Sequence, residues 1–254
     1  MLICTKELTT MLENINPENL IFLDIETVSQ KKLFTELDET WQELWTIKTG
    51  QLNRRSEGEA TPDERYNEAA IYAEFGKIIC ISVGAFRKQA DGTMKFHLKS
   101  FAGHDEKQLL LDFADMLNNR QKKGTFQLVA HNGKEFDFPY IARRMTINRM
   151  KLPVILDIPG KKPWDLDAIH IDTMTMWKFG DFKSFTSLKL LAATFGIPSP
   201  KDDIDGSEIY HVYWNENDLQ RIVTYCQKDV LTVAQVFRGF RGEELIDPAN
   251  VVLP

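Results

Sequence analysis

Three short stretches of the chain carry residue types and spacings that suit cation-assisted chemistry. In the first, Asp24 and Glu26 stand two residues apart at the end of the apolar run LIFLDI, residues 20 to 25. Side chains alternate across a strand, so both carboxylates would leave the same face. Two acids so placed can share a cation, and a solvated strand end is the plainer alternative. Acids on an otherwise apolar strand repel one another and suffer desolvation unless a positive charge compensates them. The second stretch is His131-Asn132-Gly133-Lys134-Glu135-Phe136-Asp137, where a strand passes into a helix. Asp137 fits either a ligand or a first-turn carboxylate favoured by the helix dipole, a place Glu135 would suit equally. Asn132 could be an N-cap and Phe136 could be core. The third is Tyr225-Cys226-Gln227-Lys228-Asp229. In a helix, a spacing of four puts the Tyr225 hydroxyl and the Asp229 carboxylate one turn apart on one face. A capped or salt-bridged acid is the alternative there.

The elements that must position these residues can be read from periodicity. LIFLDI reads as a buried strand, and KIICISVGAF and TMKFHLKSF as a hairpin whose Asp91-Gly92 supplies the positive φ of a tight turn. HDEKQLLLDFADMLNNR has helical apolar spacing, TFQLVA returns as a buried strand, and KEFDFPYIARRM reads as a helix. IHIDTM is predicted as a fifth strand, SFTSLKLLAATFGI as a helix stopped by Gly196 and Pro198, and residues 216–239 as a long final helix. That helix has a core stripe of Leu219, Ile222, Val223, Cys226, Val230, Val233 and Phe237, so Asp229 borders its buried face. The order predicts an α/β fold, a mixed five-stranded sheet with helices on both faces. Residues 31–76 read as an inserted helical excursion, mobile around RRSEGEATPDE.

With 254 residues, 43% apolar and 27% charged, the chain can bury a sizeable core, and a disordered state is excluded. The net charge of −6 excludes a uniformly basic nucleic-acid coat, so any such contact must be local. Between Lys134 and Lys162, seven bases face three acids, which gives a candidate substrate rim or a solvated face. Trp164, Trp177 and Phe179 could add stacking surfaces or pack in the core. Cys4, Cys80 and Cys226 are scattered, with no CxxC spacing, so neither a disulfide framework nor a zinc site is suggested and a reducing cytoplasm fits. The first twenty residues carry Lys6, Glu7, Glu13 and Glu18 where a signal peptide needs an apolar run, and no run suits a membrane span.

Taken together, Asp-x-Glu-Thr, Asn-x-x-x-Phe-Asp and Tyr-x-x-x-Asp resemble the three exonuclease motifs of the DEDD (DnaQ-like) superfamily of 3′ to 5′ exonucleases. The tyrosine resembles the DEDDy subgroup; the DEDDh subgroup would want His where Thr224 stands. AEFGKIICISVGAF, HNGKEFDFPYIARRM, IDTM, SLKLLA and YCQKDVLTVAQVF are further similar to stand-alone exonucleases related to the proofreading domain of B-family DNA polymerases. The resemblance spans about residues 19–240 and thins over 31–70. It implies a ribonuclease-H-like fold, and the length of the chain suits a single domain over 1–254. It further implies that Asp24, Glu26, Asp137 and Asp229 hold two divalent ions, Mg²⁺ or Mn²⁺, with Tyr225 orienting the nucleophile. Thr27, Asn132 and Phe136 are implied as contacts to the terminal nucleotide. The implied partner is single-stranded nucleic acid with a free 3′ end, DNA favoured over RNA. An exoribonuclease and an idle nucleic-acid-binding module are the alternatives.

Overall fold

The computed structural model describes residues 12, 15–181, 185–198 and 204–253. Its sheet is built from β1 (Leu20–Ser29), β2 (Gly76–Lys88), β3 (Met94–Ala102), β4 (Gln127–Ala130), β5 (His170–Asp172) and β6 (Val251–Val252). The strand order is β5-β4-β1-β2-β3-β6. β1, β2 and β3 form an antiparallel meander, while β4 runs parallel to β1 and β5 parallel to β4. Such a 3-2-1-4-5 arrangement is ribonuclease-H-like. The sheet has six strands rather than the five expected. β6 is two residues long and lies parallel to β3 through Phe96↔Val251 and His97↔Val252. A pairing that short has no periodicity to reveal it.

Helices cover both faces. β1 shows why: Ile21, Leu23 and Ile25 enter a core with α2 (Glu106–Gln121) and α3 (Asp137–Ile147). Leu20 and Phe22 point the other way, toward Val230, Val233, Ala234 and Phe237 of the last helix, α7 (Leu219–Phe240). Phe22 meets Phe86, Phe96 and Phe237 edge-on at 5.6–5.8 Å between ring centres, a favoured geometry for aromatic pairs. The short helices α4 (Thr173–Lys178), α5 (Leu188–Thr194) and α6 (Ile209–His211) connect β5 to α7. Asp218 caps α7 by accepting from the Arg221 N–H, and Gly196 closes the turn after α5 at φ 66°.

A buried ion pair ties the helical face to the meander. Glu106 accepts from the backbone N–H of Ile78 at 2.7 Å and from Nε and Nη2 of Arg144 at 2.8 and 2.5 Å. Arg144 also donates to the Ala73 carbonyl, so α2, α3, β2 and the segment before β2 meet at one charge pair.

The excursion holds α1 (Glu39–Ser56), which Asp38 caps by accepting from the Trp41 N–H. Its own small core joins Trp45, Tyr66 and Ala69. The stretch expected to be mobile is tied down: Trp45 donates to the Pro62 carbonyl and Asn53 to the Ala60 carbonyl, both at 2.8 Å.

Candidate active site

β1 runs four residues beyond LIFLDI, to Ser29, so Asp24 and Glu26 both lie within the strand. They follow Leu20 and Phe22 in the period-two alternation and therefore face α7. A register shift against β2 between Glu26 and Thr27 marks where that alternation ends. Thr27 is hydrogen-bonded to the Tyr140 hydroxyl of α3, which directs it away from the acid pair.

α7 places its polar residues above that face. Ile222, Val223, Cys226, Val230, Val233 and Phe237 are buried as the stripe predicts, with Leu219 at the margin. Cys226 points at β1, its Sγ 3.4 Å from both the backbone carbonyl and Oδ2 of Asp24. Asp229 lies close enough to Asp24, Glu26 and Asp137 to raise the pKa of each. Tyr225 donates its hydroxyl to Asp229, and burial together with the neighbouring acids holds its pKa well above the ordinary tyrosine value.

Asp137 arrives from the opposite side as the first residue of α3. Its carboxylate accepts from the Ile25 backbone N–H and from its own, which stitches the start of α3 to β1. Burial nevertheless pushes its pKa up to about 7. Asp24 and Glu26 are raised well above the ordinary range, first by burial and then by the other acids. The four acids chosen from the sequence are thus near enough to raise one another's pKa, with Tyr225 beside Asp229, and among the described residues Asp24 and Glu26, with Cys226, bring ligand atoms within 4.8 Å of one another.

The electrostatics of this cluster call for positive charge. Glu26 is 8% exposed, and among the described residues no donor reaches its carboxylate. A buried acid without a donor, surrounded by further acids, is a strongly unfavourable arrangement for the protein alone. Hard oxygen ligands of this number fit hard divalent cations, so the donor set suits the ions that the motifs imply.

One contributor escaped the sequence reading. Asp172, at the end of β5, accepts from the backbone N–H groups of Asn132 and Lys134 at 3.0 and 3.1 Å, and from Met174 and Thr175 at 2.9 and 3.2 Å. It caps α4 and fixes the loop that delivers Asp137, with Asn132 held at φ 62°. The signal available was an acid followed by a helix start in IDTM, which indicates a cap but not the second loop it holds. Gly133 is required in that loop, because a Cβ there would lie 2.5 Å from Ala130 Cβ and 2.9 Å from the Phe138 ring. His131 anchors it further by donating from Nε2 to the Thr186 carbonyl at 2.9 Å.

Asn132 and Phe136 stand half-buried beside the cluster, and Phe136 packs on Tyr140 with ring centres 5.3 Å apart. The basic stretch is thinner than its count: Arg144 is buried in its pair with Glu106, and Lys134 is bound to Asp167. Arg143, Arg149, Lys151 and Lys161 remain exposed. A cavity of about 760 Å³ opens along the outer side of α3, lined by Lys134, Arg143, Ile147, Lys161 and Leu166 among others, beside the acids and not over them. Trp177 packs against Phe195 and Phe240, whereas Phe179 is 83% exposed. The side chain of Trp164 and all of Cys4 lie outside the described residues.

Among the described residues no helix is long and apolar enough to cross a membrane. No curated protein matches the chain. Among solved structures it is similar to the family B DNA polymerase of the hyperthermophilic archaeon Pyrobaculum calidifontis, at 17% identity and a TM-score of 0.45. That alignment takes in 86% of this chain and 24% of the polymerase, so the chain spans about a quarter of that protein's length. Residues 71–243 match a family described as predicted 3′-5′ exonuclease related to the exonuclease domain of PolB. The match runs from just before β2 through Asp137 to the end of α7, leaving β1 with Asp24 and Glu26 outside it, and the chain belongs to this family of predicted 3′-5′ exonucleases.

Proposed function

We propose that the chain removes nucleotides one at a time from the free 3′ end of single-stranded DNA, releasing nucleoside 5′-monophosphates. The observation that carries this reading is that four carboxylates from β1, α3 and α7 lie near enough to raise one another's pKa, with a tyrosine hydroxyl donating to one of them. Asp24, Glu26, Asp137 and Asp229 would hold two divalent ions, Mg²⁺ or Mn²⁺. When bound, such a pair activates water and offsets charge on the attacking and leaving oxygens of an in-line displacement.

The chain's own residues do the rest. Tyr225, steadied by Asp229, orients the attacking water through its hydroxyl and has no need to ionise. Phe136 offers a ring face to the terminal base, Asn132 a polar edge, and Thr27 steadies the end of β1 through Tyr140. Arg143, Arg149, Lys151 and Lys161 supply backbone contacts that do not depend on sequence. No side chain here is placed as a covalent nucleophile, so water is the acceptor and the phosphate leaves on the released nucleotide. Residues 31–76 are an accessory to one exonuclease domain.

A time course on 5′-labelled DNA and RNA single strands of matching sequence, with Mg²⁺, Mn²⁺ or EDTA, tests the reading. A descending ladder on DNA, absent with EDTA, is expected. Faster decay of the RNA would replace DNA as substrate, and equal cutting of a closed circular strand would end the exonuclease reading. Binding without hydrolysis under every ion would leave an idle nucleic-acid-binding module.

A further inference from the structure

The cavity along the outer side of α3 lies apart from the four acids. Asp137 faces β1, whereas Pro139, two residues and about 200° further round the helix, lines the cavity. The body of α3 therefore stands between the two. The cavity wall is fixed in place: the backbone N–H groups of Lys134 and Thr175, both in the lining, donate to Asp172 at 3.1 and 3.2 Å, and the Lys134 ammonium is bound to Asp167. Its volume of about 760 Å³ falls within the range of about 300–1,000 Å³ usual for small-ligand sites.

Three kinds of side chain line this space. Pro139, Ile147 and Leu166 belong to an aliphatic wall suited to the face of a flat ring. Arg143 and Lys161 are exposed cations that enter no ion pair among the described residues. Glu74 and Glu135 add carboxylates, which accept from hydroxyl and amino groups. Because Lys134 and Asp167 neutralise each other, these two cations and two carboxylates are the charges left to a ligand. A simple cation would be repelled by the first pair and a simple anion by the second. The lining suits a molecule with an anionic group at one end, hydrogen-bond donors elsewhere and an apolar ring.

We propose that the cavity binds a nucleoside 5′-monophosphate, with its phosphate on Arg143 and Lys161, its base on the aliphatic wall, and its sugar hydroxyl and exocyclic amino groups on Glu74 and Glu135. A guanidinium meets a phosphate bidentately, which gives Arg143 the larger share of the anchoring. The choice of a nucleotide among molecules of this pattern rests on the exonuclease reading, in which such a monophosphate is released nearby. In that reading Arg143 and Lys161 also hold the substrate backbone, so an occupied cavity weakens the hold on the strand and the product restrains its own formation.

Calorimetric titration of the full chain in EDTA with each of the four deoxynucleoside 5′-monophosphates separates this cavity from the acids. One-to-one binding of at least one of them is expected, and Asp24→Ala should bind it unchanged. Thr146→Trp, which fills the cavity from an exposed position on α3, should weaken binding at least about tenfold, with circular dichroism checking its fold. Ile147→Trp, at a position 49% exposed, serves the same purpose if Thr146→Trp does not fold. Arg143→Ala should cost about tenfold, the worth of one hydrogen bond to a charged group. No binding of any of the four, binding that survives both tryptophans, binding lost in Asp24→Ala, or equally tight binding of inorganic phosphate would each overturn the proposal. With Mg²⁺ present, added nucleotide should slow hydrolysis by the parent more than by Thr146→Trp, and equal slowing would deny the restraint. A parent that binds the nucleotide but hydrolyses nothing would count against the exonuclease reading and leave the cavity assignment standing; one that hydrolyses but binds no nucleotide in EDTA would do the reverse.

Discussion

Tyr225 and Asp229 differ in what their loss should reveal. Tyr225→Phe deletes a hydroxyl and keeps the ring, so nucleic-acid affinity should hold while single-turnover hydrolysis falls. General acid and base groups contribute about a hundredfold to ten-thousandfold, and a group that only orients water belongs at the low end. A rate unchanged in Tyr225→Phe would remove that residue from the mechanism and leave the carboxylates in place. Asp229→Ala, like Asp24→Ala or Asp137→Ala, should reduce hydrolysis to background. Asp24→Ala should also melt no lower than the parent in EDTA, because removing one acid relieves repulsion among those that remain, whereas Asp137→Ala also gives up the bond from the Ile25 N–H and Asp229→Ala the one from Tyr225. An Asp229→Ala enzyme with most of its rate would show that the α7 acid is not a ligand.

At the level of elements, the loop carrying Asp137 hangs on β5 through Asp172. Its carboxylate satisfies four backbone N–H groups in two different segments. Hydrogen bonds to a charged group are worth about 1.5–3 kcal/mol each and do not add fully, so Asp172→Ala should cost roughly 2–4 kcal/mol in denaturant unfolding. Hydrolysis should fall with it, and Asp172→Asn, which keeps the acceptor oxygen, should recover part of both; equal damage from the two would deny that the acceptor matters. Glu106→Ala strands Arg144 in the core and should cost about 3–5 kcal/mol. A loss below about 1 kcal/mol in Glu106→Ala would mean that water reaches Arg144. The contrast between these residues and the acids explains what the sequence made legible. Asp24 and Glu26 were visible because period two is local, and Tyr225 and Asp229 because a helical turn is local. Asp172 and Glu106 were not, since each acts on backbone donors dozens of residues away that leave no local pattern. β6 was missed for the same reason, and Arg144 was counted with surface bases because its burial depends on Glu106.

For the whole molecule, two buried groups pull stability in opposite directions with pH. His170 donates from Nε2 to the Ile155 carbonyl, while its Nδ1 is buried without a partner and Phe138 lies over the ring. A proton added to Nδ1 would be stranded, and burial lowers the His170 pKa from 6.5 to about 4. A depressed histidine stabilises the fold above its unfolded value, and that stability is lost as pH falls from about 6.5 toward 4. The full effect is on the order of 3 kcal/mol. Asp137 does the reverse, because its raised pKa favours the neutral acid, so the metal-free fold loses stability as pH rises from about 4 to 7. Melting curves in EDTA across that range should therefore steepen on the acid side in Asp137→Asn and flatten there in His170→Gln. An acid limb unchanged in His170→Gln would assign it to other groups.

The site's parts are spread along the chain, β1 supplying Asp24 near its start and α7 supplying Asp229 near its end. Closing so long a loop costs entropy before any contact repays it, and a high mean separation of contacting residues slows folding. During synthesis, β1 to β4 can pair while α7 is still inside the ribosome, but no carboxylate quartet exists until that helix emerges and docks. A nascent or prematurely terminated chain that lacks α7 therefore lacks Asp229 and Tyr225. Ribosome-bound chains of increasing length should gain hydrolysis in a single late step once α7 has cleared the exit tunnel, well after the central strands have become protected from proteolysis.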